Sequence, residues 1–281
     1  MSFRSWLKQE ERVWYRIRLI IRGLVVRSTK PERWLLSAIA VLSVVPFIAT
    51  WINPFLIWYA VSFLGLLMVI AAWRLWLGTG TLVRFIAAVL LLGFFWFSGL
   101  TFWLFLENPL YRLVFVFLMT SVSWWYLKWW LQWRLTLLLG SGAVSVTPSL
   151  IVGFLTSFFI VTAAESFLIF LGVSGFVLWF IFFAAWLLTI VSLGILQGWS
   201  PVWQWRYYVT LLVVAAQVFL LATWLPTSFY VIGFLCAVVL VVLLLGLRQE
   251  NQGFINRRLL ARDLIVITAA LLLSLLTARW I

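Results

Sequence analysis

Glu165 is the residue whose type and position most directly suggest chemistry. It is the acidic residue that lies deep inside a predicted apolar helix, in the run Val161–Ser166. An ionisable side chain inside a membrane costs roughly 2.5–3.5 kcal/mol on insertion scales, so it marks a candidate functional site. Thr162 shares its helix face, and Ser166 is adjacent around the helix. This group predicts a carboxylate that binds a proton or cation, or a hydrogen-bonding site for a lipid headgroup.

A structural role for Glu165 is the alternative. The carboxyl would then pair with Arg112 or Arg279, both expected on the outer side, or stay neutral and bond to a neighbouring helix. Glu107 stands beside Asn108 and one turn from Arg112, where a solvated ion pair is expected to contribute little stability.

Gln217 is a further polar side chain, within the seventh predicted span. Interhelical hydrogen bonding between small neighbours accounts for it. The sharper hypothesis groups Gln217 with Glu165, Thr162 and Ser166 in one outward-facing polar pocket.

The composition excludes most other chemistry. The chain has no His, one Cys and seven acidic residues, which argues against metal sites, haem ligation, disulfides and nucleophile–base pairs. We therefore expect neither an enzyme nor a bound cofactor. With 66% apolar and 10% charged residues over 281 positions, the sequence has too few charges to cover a soluble surface. It predicts an all-α, polytopic transmembrane helix bundle.

Residues 1–30 are predicted to form a basic amphipathic helix in the headgroup plane, preceding a transmembrane domain over 31–281. Apolar residues recur at three- and four-residue steps, and basic residues occupy mostly the opposite face. The competing interpretation is a helix that binds a protein partner. The residues expected to contact anionic lipid are Arg4, Lys8, Arg12, Arg16, Arg18 and Arg22.

Prolines mark the helix starts. Asn53-Pro54, Asn108-Pro109, Thr147-Pro148 and Ser200-Pro201 each pair a capping side chain with a proline at the first helical position. Cutting at such marks gives about nine spans of roughly 20 residues. They are 33–52, 54–77, 82–106, 109–131, 148–171, 174–196, 201–224, 227–247 and 260–280. The stretch 129–147 either continues the fourth helix or lies at the interface.

Two further features concern packing. Pro46 lies inside the first apolar span, where a proline is expected to kink the helix. Gly153 with Ser157, and Gly194 with Gly198, are pairs of small residues that predict close helix approach.

The basic residues predict the orientation. In a nine-span arrangement every Lys and Arg except Arg112 and Arg279 falls on the side of the N-terminus. The positive-inside rule therefore places the N-terminus in the cytoplasm and the C-terminus outside, as expected for a bacterial cytoplasmic (inner) membrane. The formal charge of +13 then reflects contact with anionic lipid on the cytoplasmic side rather than with nucleic acid.

Two functions fit these observations best. The first is a non-enzymatic membrane subunit or scaffold, with lipids and protein subunits as its partners. The alternative is a transporter or flippase-like permease that uses Glu165 to move a lipid or apolar solute, since such a substrate needs few polar groups along its path. A membrane-embedded lipid enzyme is a weaker third hypothesis, because Glu165 and Glu107 alone are a thin catalytic set.

Overall fold

The computed structural model describes residues 33–76, 82–139, 147–171, 175–197, 228–251 and, within the seventh predicted span, 205–206, 208–210, 213–214 and 216–217. These residues are helical apart from short turns and include no β-strand, which confirms the all-α class for this part of the chain. The predicted surface helix at 1–30, with its six lipid-contacting basic residues, lies outside the described residues, as do Arg279 and the ninth predicted span.

The described residues include seven helices, of which the first is interrupted by a turn. They are α1 (Arg33–Ile52), α2 (Ile57–Trp76), α3 (Leu82–Trp103), α4 (Pro109–Leu139), α5 (Thr147–Leu171), α6 (Gly175–Leu196) and α7 (Phe229–Asn251). Five segments are long and apolar enough to cross a membrane: Arg33–Ile52, Pro54–Trp73, Leu82–Trp103, Pro109–Trp133 and Thr147–Phe170. Shorter apolar stretches lie in α6 and α7, at Phe180–Leu196 and Phe229–Leu245.

Asparagine side chains cap two of the helix starts, as their pairing with proline predicts. The Asn53 side-chain oxygen accepts a hydrogen bond from the Phe55 N–H at 3.0 Å, at the short 3-10 turn Pro54–Leu56 that leads into α2. The Asn108 side-chain oxygen accepts from the Leu110 N–H at 2.9 Å at the start of α4. Each cap satisfies a backbone donor that has no partner within its own helix.

The first span consists of two helical pieces, 33–42 and Val45–Ile52, separated by a turn at residues 43–44. Pro46 lies in the first turn of the second piece, where its missing N–H breaks no helical bond. The Ser43 hydroxyl donates to the Ala40 carbonyl at 2.7 Å, and the Thr50 hydroxyl donates to the Pro46 carbonyl at 2.9 Å. The interruption therefore keeps its backbone groups bonded inside an apolar bundle.

The fourth helix is longer than a bilayer crossing requires. α4 runs from Pro109 to Leu139, so the first part of 129–147 continues this helix. Its 31 residues span ~46 Å at 1.5 Å per residue, against ~30 Å for a hydrocarbon core. The Trp129 and Trp133 rings stack with centroids 6.1 Å apart, in the part of α4 that exceeds this length.

Aromatic contacts show how the helix ends are grouped. We call the end of the bundle where α1 finishes the outer end, and the end where α1 begins the inner end. At the outer end Phe47 meets Trp103 at 5.6 Å and Phe105 meets Phe170 at 5.9 Å between ring centroids. Phe102 contacts Tyr230 at 5.9 Å. The ends of α1, α3 and α5 therefore lie together with the start of α7.

Helices α3 and α5 form the centre of the bundle. No side chain from Ala87 to Trp103 in α3, or from Val152 to Ser166 in α5, is exposed. The two helices interlock through aromatic rings, with Phe95 6.0 Å and Phe102 5.1 Å from Phe159 between centroids. Helix α7 packs on α5 and α2 packs on α3, whereas α4 and α6 each contact both central helices.

Candidate functional site

Glu165 is enclosed between helices in the outer half of the bundle. Its side chain is 6% exposed. It lies six residues before the end of α5, or ~9 Å along the axis. Cys236 on α7 is also fully buried.

Thr162 and Ser166 accompany Glu165, and both are fully buried. The Ser166 hydroxyl donates to the Thr162 backbone carbonyl at 2.7 Å, which keeps that hydroxyl within its own helix. Among the residues that the structure describes, the Thr162 hydroxyl has no hydrogen-bond partner. A buried hydroxyl without a partner costs free energy, so this atom is a candidate contact for a ligand or for a close helix approach.

Gly233 accounts for the position of the Thr162 hydroxyl. A Cβ atom at Gly233 would overlap the Thr162 Oγ1 atom and lie 3.0 Å from the Phe158 carbonyl oxygen. Because glycine has no side chain, the α7 backbone can lie directly against this part of α5. Within the described residues, the site thus consists of Glu165, Thr162 and Ser166 on α5 and of Gly233 and Cys236 on α7.

The cations predicted to pair with Glu165 are not found beside it in the described part of the chain. The Arg112 side chain donates to the Leu106 carbonyl and lies 5.5 Å from the Trp103 ring centroid. It therefore fastens the turn between α3 and α4. Glu107 is exposed. Arg279 lies outside the described residues.

Gln217 does not belong to the enclosed group, because its side chain is exposed. The structure thus brings together three of the four residues predicted to line a polar pocket. It adds Gly233, which lies against Thr162, and the buried Cys236 one turn further along α7; no sequence pattern linked either residue to Glu165. Their spacing of three residues on one helix face was the available signal, but many pairs of small residues in this chain share it.

The chemistry open to this site is narrow. A carboxyl group, a thiol and two hydroxyls can bind a proton or a single small cation, or can bond two helices together. Among the described residues no group of three or more Cys, Asp or Glu side chains converges as a metal site would require. Comparison with known protein families, with curated proteins and with solved structures gives no match.

The single cysteine makes the α5–α7 contact directly testable. We expect Gly233→Ala to force these helices apart, at a cost of roughly 1–3 kcal/mol for overpacking. Cys236, fully buried in the native chain, should then react with a maleimide at least about tenfold faster, because the open state is more populated. Labelling rates in mild detergent, followed by mass spectrometry, measure this.

Gly65→Ala is the matched control, since a Cβ at Gly65 in α2 meets nothing within 4 Å. This variant should label as slowly as the native chain. Equal protection of Cys236 in Gly233→Ala would contradict the close approach of α5 and α7.

Proposed function

We propose that the chain crosses a bacterial cytoplasmic (inner) membrane about nine times, with its N-terminus in the cytoplasm and its C-terminus outside. The five long apolar helices support the membrane assignment. The grouping of basic residues supports the orientation, since in this arrangement only Arg112 and Arg279 lie outside. Arg112 belongs to the outer end of the described bundle, as this topology requires.

Reporter fusions test the topology. A protein that fluoresces only in the cytoplasm should be bright when fused after Gly142, behind four predicted spans, and dark when fused after Ile281. Bright fusions at both positions would contradict the nine-span arrangement.

In this membrane we propose that the protein is a non-enzymatic subunit or scaffold that contacts anionic lipid through its basic cytoplasmic face. The observation that carries this proposal is the use of buried polar side chains to join helices. The Trp96 indole N–H donates to the Ser123 hydroxyl at 2.8 Å, and the Tyr126 hydroxyl donates to the Ala88 carbonyl at 3.1 Å. Both bonds tie α4 to α3.

Several other buried hydroxyls bond within their own helices, whereas those of Ser157 and Thr162 have no hydrogen-bond partner among the described residues. The Thr156 hydroxyl donates to the Val152 carbonyl at 2.7 Å, and the Thr189 hydroxyl donates to the Ala185 carbonyl at 2.9 Å. A hydroxyl that donates in this way no longer offers its proton to a solute. Such an interior suits a protein whose role is to hold partners and lipids in place.

A permease for a lipid or apolar solute is the second candidate. The specific observation in its favour is the pair of groups on α5 that lack partners. Neither the Thr162 hydroxyl nor the Glu165 carboxyl has a hydrogen bond or ion pair within the described residues. A single proton- or cation-binding carboxyl in the outer half of the membrane is what coupled transport of an apolar substrate would require.

Mild-detergent purification separates the two candidates. A scaffold should retain a stoichiometric protein partner together with anionic lipid, both identified by mass spectrometry. Glu165→Gln should retain the same partner, because a neutral amide of similar size preserves the packing of α5 on α7.

Reconstitution into vesicles tests the permease, because proton and lipid flux can then be measured. A scaffold should carry no proton or lipid flux. Flux that is lost in Glu165→Gln and kept in Glu107→Gln, the same change at an exposed acid, would replace the scaffold proposal with the permease.

A further inference from the structure

A cavity of about 200 Å³ opens at the inner end of the bundle, between the start of α1 and the later part of α4. Its lining residues are Arg33, Leu36, Ser37, Trp124, Lys128 and Leu131. The leucines are buried and form an apolar floor, whereas both cationic side chains are exposed at the rim. Lipid or solvent can therefore reach the cavity without any movement of the helices.

Three polar groups hold the walls together. The Trp124 indole N–H donates to the Ser37 hydroxyl at 3.1 Å, and that hydroxyl donates to the Arg33 carbonyl at 2.9 Å. This chain of bonds joins α4 to the first turn of α1. The Lys128 ammonium lies 4.8 Å from the Trp124 ring centroid, in a cation–π contact that fixes its direction.

The charge of the cavity favours an anion. Arg33 and Lys128 are both positive, and none of the six lining residues is acidic. The nearest charges along the sequence, Lys30 and Glu32, cancel each other formally. Guanidinium and ammonium groups both bind phosphate in proteins.

The depth of the cavity matches the phosphate level of a bilayer. Arg33 lies 19 residues from the outer end of α1 at Ile52, and Lys128 lies 19 residues from the start of α4 at Pro109. Each distance is ~29 Å of helix, close to the ~30 Å thickness of a hydrocarbon core. Both cations therefore lie where apolar chains end and headgroups begin.

From these observations we propose that the cavity between α1 and α4 binds the phosphate of an anionic phospholipid. Arg33 and Lys128 contact the phosphate, the Trp124 ring and Ser37 hold Lys128 and α1 in place, and the leucine floor receives the glycerol region. A volume of about 200 Å³ is below the ~300–1,000 Å³ of a typical ligand pocket, so one headgroup region enters while the acyl chains remain in the bilayer.

This inference rests on the membrane placement proposed above but not on the choice between scaffold and permease, because each can hold such a lipid. It also differs from the lipid contact expected for residues 1–30. A surface helix attracts many anionic lipids diffusely, whereas this cavity holds one lipid with defined stoichiometry.

Native mass spectrometry of the full chain tests the proposal, with phosphatidylglycerol and phosphatidylcholine of matched acyl chains as probes. One phosphatidylglycerol should bind the native chain in preference to phosphatidylcholine. The double variant Arg33→Gln, Lys128→Gln should weaken phosphatidylglycerol binding about thirtyfold. Each of the two cations is expected to contribute a similar factor, about fivefold, to the affinity. Lys128→Arg, which keeps the charge, should retain binding.

Arg206→Gln is the matched control. Arg206 is also exposed and lies 5.9 Å from the ring centroid of a tryptophan, Trp205, but it does not line the cavity. An equal loss in this variant, or an unchanged preference in the double variant, would overturn the proposal in favour of diffuse basic attraction. Displacement of the lipid by excess inorganic phosphate would assign the site to free phosphate. It would overturn the proposal that the cavity binds a lipid.

Discussion

The enclosure of α5 is the constraint on which the rest of the described bundle depends. From Val152 to Ser166, over about four turns, no side chain is exposed and most are buried. The helix also carries the buried acid, Glu165, and fully buried hydroxyls such as Thr156 and Thr162. Polar groups are costly against lipid tails, which explains why this helix is surrounded rather than placed at the edge.

Close contact, rather than hydrophobic attraction, holds the neighbours on α5, because lipid tails are as apolar as leucine side chains. Gly233 lets the α7 backbone lie on Thr162, and Gly153 receives the Leu193 side chain of α6. Phe159 interlocks with the rings of α3. Few charged side chains lie in the interior of the described bundle. The exposed cations at its inner end are therefore the charges that can contact lipid.

Sequence reasoning predicted the helix starts well and the packing poorly. Proline and asparagine act locally, so the starts at Pro54 and Pro109 follow from neighbouring residues. Hydropathy is high along α2 and α3 alike, and it does not distinguish a helix that faces lipid from one that faces protein. The contact of Thr162 with Gly233 depends on tertiary packing between distant segments, which no periodicity in one chain encodes.

A tryptophan scan along α5 tests its enclosure most directly. Replacing each residue of 152–166 in turn should lower the melting temperature at every position, because overpacking costs roughly 1–3 kcal/mol wherever protein surrounds the helix. The same scan of α2 should be tolerated at exposed positions such as Leu66 and Val69. Tolerance that recurs every three to four residues along α5 would reveal a lipid-facing side and contradict this account.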